Sequence, residues 1–144
     1  MNKYSALKNK QQAEINAFPL GAAFSNKQFA EMMNKWGLTE NDTDKIYHIG
    51  TGCYIRKSDH AAFHEMLDRF EQEQKAAIAE DTTGNGYIYD MFYTELANHE
   101  YCITFDPEDT LCALGLTVDE IKADKRLLHG FNKAVRQYLK DCKE

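Results

Sequence analysis

Several small groups of residues in this 144-residue chain have types and spacings that could do chemistry. His60 and His64 stand four apart at the start of an expected helix, so their imidazoles share a face and could chelate a metal. A zincin places a glutamate directly after its first histidine as general base. Here Ala61 fills that position and Glu65 follows the second histidine, which favours a plain polar face. Glu95 and His99 are also four apart, with Glu100 adjacent and Asp106 further along. They have the makings of an acid/base pair, or of the divalent-metal site of a small nuclease or hydrolase. Against that, a histidine ending an apolar helix more often caps carbonyls or satisfies a buried carboxylate. Gly50-Thr51-Gly52 and Gly84-Asn85-Gly86 are turn sequences outside any phosphate-loop context. Tyr47, Tyr54, Arg56 and Lys57 could stack on nucleic acid, but a net charge of −6 works against direct binding. Hairpin tyrosines also commonly pack across strands. No catalytic motif stands out, and the residues read as a non-enzymatic protein without a metal or a cofactor.

Cys53, Cys102, Cys112 and Cys142 have spacings that match no zinc ribbon or finger. No apolar run is long enough to span a bilayer, and MNKYSALKNKQQ lacks the apolar core of a secretion signal. A cytoplasmic protein with reduced thiols is therefore expected. The charge is unevenly distributed. Between Glu80 and Asp124 there are eleven acids and, as the only base among the lysines and arginines, Lys122; the rest of the chain is net positive. Folded onto one face, that stretch would make the molecule electrically lopsided. Acids at helix N-termini are the plainer explanation.

The elements that must position these groups are mostly helical. Tyr4, Leu7, Gln11, Ile15 and Phe18 predict a helix over 3–18, stopped by Pro19 and Gly21. Ser25 and Gln28 form a capping-box pattern for a second helix with Phe29, Met32, Met33 and Trp36 on its apolar face, ended at Gly37. KIYHIGTGCYIRK reads as a β-hairpin, and the alternation of Tyr101, Ile103 and Phe105 offers a third strand. A long helix follows Ser58 or Asp59 and runs to about Ala79; 82–86 reads as a flexible tip. YIYDMFYTELANHE is apolar nearly all round and predicts the central buried helix. Asp106-Pro107 opens a short helix ended by Gly115, Thr117 and Glu120 open another, and a last helix spans about 124–141. The expectation is one compact α+β domain over 1–144, mainly α, with a small antiparallel hairpin or three-stranded sheet.

The stretches FPLGAAFSNKQFAEMM (18–33), KIYHIGTGCYIRKSD (45–59) and ELANHEYCITFDPEDTLCALGLT (95–117) together resemble a family of small proteins carried by phages, prophages and mobile elements of gut bacteria. Small acidic proteins from such elements include inhibitors of bacterial defence, among them anti-CRISPR proteins against type II effector nucleases. The resemblance implies a protein partner, such as a CRISPR effector nuclease or its guide-RNA complex, engaged through an acidic surface. Asp81, Asp90, Asp106, Glu108 and Asp109 are the candidate partner-binding residues. A self-assembling regulatory or structural phage protein is the remaining alternative.

Overall fold

Helix caps and apolar stripes account for most of the architecture in the computed structural model, which describes residues 2–143. Among these the chain forms α1 (Lys3–Ala17), β1 (Gly21–Ala22), α2 (Asn26–Lys35), β2 (Ile46–Gly50), β3 (Cys53–Arg56) and α3 (His60–Glu80). Then come α4 (Tyr87–Asn98), α5 (Tyr101–Thr104), α6 (Glu108–Leu114), α7 (Val118–Ala123) and α8 (Lys125–Cys142). This is the mainly helical α+β class expected. The Ser25 hydroxyl accepts from Gln28 N to cap α2, while the Gln28 side chain reaches one residue further back than a capping box, to Phe24 N at 2.8 Å. Thr117 and Glu120 complete a reciprocal capping box on α7, and Asp124 caps α8. Gly115 ends α6 in the left-handed region at φ +67°.

The chain divides into two compact units, Met1–Gln11 with Gln72–Glu144, and Gln12–Glu71. In the second, the three strands pair antiparallel in the order β1-β3-β2, with Gly21 opposite Tyr54 and Ile46 opposite Arg56. The third strand is thus Gly21–Ala22, not the 101–105 segment. A Cβ on Gly21 would lie 2.4 Å from Met32 Sδ and 2.7 Å from the Trp36 ring, so any larger residue would have to push those side chains aside for β1 to press onto α2. The alternation at 101–105 misleads because Tyr101 and Phe105 sit one helical turn apart, their rings meeting edge to face at 6.0 Å. Ala23, Met32, Met33 and Ile46 make the small core of this unit, with Phe29, Trp36, Leu38 and Tyr54 packed around them. β2 is an outer strand: Tyr47, His48 and Ile49 are exposed, and the pairing skips Ile49 between His48 and Gly50.

In the first unit α4 is the central element, as expected. Ile88, Met91, Phe92 and Leu96 are fully buried, and Tyr4, Leu111, Ile121, Leu127, Ala134 and Tyr138 close around them. α4 lies principally against α8. The close approach depends on small residues of α8: a Cβ on Gly130 would come within 2.5 Å of Ile88 Cγ2 and 2.8 Å of the Gly84 carbonyl oxygen. The 82–86 segment, expected as a flexible tip, is a packed loop. Gly84 is buried at φ +87°, and a Cβ there would meet the Arg126 carbonyl oxygen at 2.3 Å. Among the described residues no helix is long and apolar enough to cross a membrane.

Candidate partner-binding site

The structure divides the five candidate acids into two groups. Asp81 and Asp90 stand at the N-terminal end of α4; Asp106, Glu108 and Asp109 stand at the start of α6, beyond its C-terminal end. The Asp81 carboxylate is turned inward on its own loop. It accepts hydrogen bonds from the backbone N–H groups of Thr83, Gly84, Gly86 and Ile88 at 2.8–3.2 Å. Burial works to raise its pKa, but those four donors, led by Ile88 and Gly84, outweigh it and hold the carboxyl below the usual aspartate value. Asp90 accepts from Lys3 N at 2.8 Å and is half-buried.

The second group is built differently. Asp106 Oδ1 accepts from Glu108 N at 3.0 Å and so holds the first turn of α6, while Glu108 and Asp109 project into solvent from that turn. Thr110, fully buried, donates from its hydroxyl to the Glu95 carbonyl at 3.3 Å and fixes α6 to α4. Before α6, α5 is a single turn flanked by two non-glycine residues in the left-handed region, Glu100 at φ 51° and Phe105 at φ 54°. This arrangement leaves Ile103 71% and Phe105 64% exposed, beside the three acids in the chain. Between α6 and the start of α7 runs a groove of about 390 Å³ with Pro107, Leu111, Leu116 and Val118 along it and Asp106 and Glu108 at its lip. An apolar floor with carboxylates at the edge suits a lysine or arginine side chain, whose stem packs while its head pairs. The uneven charge of the 80–124 stretch marks the acids in the sequence. The alternation at 101–105 suggests a strand and so hides the exposure of Ile103 and Phe105, and nothing in the sequence sets Val118 apart from a core residue.

The remaining candidates are held in internal contacts. Glu95 is 9% exposed and receives a hydrogen bond from Asn98 Nδ2 at 2.9 Å. Burial, then Glu95, drives the Tyr4 phenol well above its ordinary pKa. His99 Nδ1 pairs with the Glu95 backbone carbonyl at 2.9 Å, closing the end of α4. His60 and His64 approach Nε2 to Nε2 at 3.0 Å, with the Tyr47 ring against His60 at 4.7 Å. Among the described residues no three histidines, cysteines or acids gather as metal ligands do. Tyr54 stacks on His48 at 4.8 Å, Lys57 lies over Tyr47 at 5.0 Å, and Arg56 pairs with Asp59 at 2.8 Å. The hairpin aromatics are thus engaged with their own neighbours.

The model of a family described as being of unknown function matches residues 3–137. No curated protein and no solved structure matches the chain.

Proposed function

The chain belongs to that family, DUF7659, and from its surface we propose that it is a non-enzymatic inhibitor that docks on a cationic protein surface through α5, α6 and the start of α7. The observation that carries this reading is the groove: apolar along Leu111, Leu116 and Val118 and edged by Asp106 and Glu108, with exposed Ile103 and Phe105 just before Asp106 in the chain. The only lysine or arginine between Glu80 and Asp124 is Lys122, so the approach of a basic partner meets little repulsion from this segment. Proteins that handle nucleic acid present such partners. Effector nucleases hold guide and target in positively charged channels and read short DNA motifs with arginines. Carboxylates standing where phosphates would stand gain association rate by steering, and the apolar floor adds contact that a phosphate lacks. The resemblance to mobile-element proteins makes a type II defence nuclease, met in the bacterial cytoplasm, the partner to try first.

The test is DNA cleavage by a guide-loaded type II effector nuclease with increasing amounts of the protein. Inhibition saturating at a fixed stoichiometry is expected. Asp106→Asn, Glu108→Gln and Asp109→Asn together should slow association and weaken its dependence on salt, with little change in stability, because an asparagine side chain keeps the oxygen that accepts from Glu108 N. A matched variant neutralises Lys125, Arg136 and Lys140 of α8, and should inhibit like wild type. If the basic triple abolishes inhibition and the acidic triple does not, α8 is the working surface and the phosphate-like role of the acids is wrong.

A further inference from the structure

Cys102 and Cys142 lie 40 positions apart in the chain, on α5 and on the last turn of α8, two elements that pack together. Cys102 is on the single turn of α5, which packs against α8. The Tyr138 hydroxyl of α8 donates to Cys102 Sγ at 3.3 Å. Cys142 follows Tyr138 by four residues, one helical turn, so it occupies the face of α8 on which Tyr138 meets Cys102. The last turn of α8 is fastened in place: Asp141 accepts from the Tyr93 hydroxyl at 2.5 Å and from Gln137 Nε2 at 2.8 Å. Cys102 is half-buried and Cys142 exposed; of the other two cysteines, Cys53 is half-buried and Cys112 exposed, each without such a partner described.

We infer that Cys102 and Cys142 form a dithiol site that reacts with low-molecular-weight disulfides of the glutathione type and closes to an intramolecular disulfide. Hydrogen bonds from Cys142 and then Tyr138 stabilise the Cys102 thiolate and hold its pKa below the ordinary thiol value, while donation to Cys102 raises that of Cys142. The Cys102 thiolate attacks one sulfur of the small disulfide; that S–S bond breaks, and one thiolate leaves and takes a proton from water. Cys142 then loses its proton to solvent and attacks Cys102 Sγ, breaking the mixed disulfide and releasing the second small thiol. Two protein thiols and one small disulfide become one protein disulfide and two small thiols.

The experiment incubates the full chain with oxidised glutathione and follows intact mass, with peptide mapping of the products. The expected course is a transient gain of one glutathionyl group and then a final loss of two hydrogens, mapped to Cys102–Cys142, while Cys53 and Cys112 stay reduced. Cys142→Ser should trap the adduct on Cys102, forming at least about tenfold faster than any adduct on Cys112. Tyr138→Phe should slow that adduct by roughly threefold to tenfold. Adducts spread evenly over all exposed cysteines, a cross-link mapped to another pair, or dimers joined through Cys142 would each overturn the assignment. The wild-type mapping decides the matter even if a variant folds poorly.

Discussion

A single carboxylate shows how far a residue's type can mislead about its use. Asp81 shares charge and exposed surroundings in sequence with Asp106, Glu108 and Asp109, yet it organises the loop before α4 by accepting four backbone hydrogen bonds. An aspartate three and five residues before two glycines is the local signal for such a loop, since glycine lets the backbone wrap around the acceptor. Asp81→Asn keeps the shape and loses the charge, and should lower stability at neutral pH by roughly 1–3 kcal/mol, measured by chemical denaturation. The pH dependence has a definite sign. The folded carboxyl titrates below its unfolded value, so its contribution is complete above the ordinary aspartate pKa of about 3.9 and disappears as pH falls through the folded value. The gap between wild type and Asp81→Asn should therefore close on acidification from about pH 5 toward pH 2. A gap that is constant or widens in acid would mean that the charge has no part in holding the loop.

At the scale of elements, most of the helices were legible because their ends are written in local chemistry: Ser25, Thr117 with Glu120, Asp124 and Gly115 all act where their types suggest. What was not legible depends on distant neighbours. β1 is two residues long and exists because Gly21 fits beneath Met32 and Trp36. Gly130 and Ala134 are interior positions of α8 that hydrophobic spacing passes over, since their value is smallness against α4. The candidate site divides in the same way: its acids stand out by charge, and its apolar floor does not. α5 is the least regular element. A non-glycine residue in the left-handed region costs about 1 kcal/mol, which glycine avoids. Glu100→Gly should consequently raise stability by roughly 0.5 kcal/mol after its greater unfolded-state freedom is counted, read as a higher denaturant midpoint at unchanged slope. A lower midpoint would show that the Glu100 side chain contributes more than its backbone costs.

For the molecule as a whole, two units with cores of unequal size bear on the expectation of one domain over 1–144. Gln12–Glu71 buries seven apolar residues, four of them in one cluster, against eleven in the cluster around α4. Trp36, the only tryptophan, reports on the smaller core, while far-UV circular dichroism is weighted toward the helices of the larger one. The Trp36 fluorescence transition should thus come at lower denaturant than the loss of helix; coincident transitions would show that the chain unfolds as one cooperative domain. The outer strand β2 carries a different consequence, for behaviour at high concentration. Its free edge is a template on which another chain could add hydrogen bonds, and Tyr47 and Ile49 would supply adhesive side chains. The skipped residue at Ile49 breaks the repeat of donors and acceptors within a five-residue strand, so an incoming strand finds no continuous ladder to extend. A hairpin that looks imperfect as a sheet is, by that irregularity, protected against fibrous self-association.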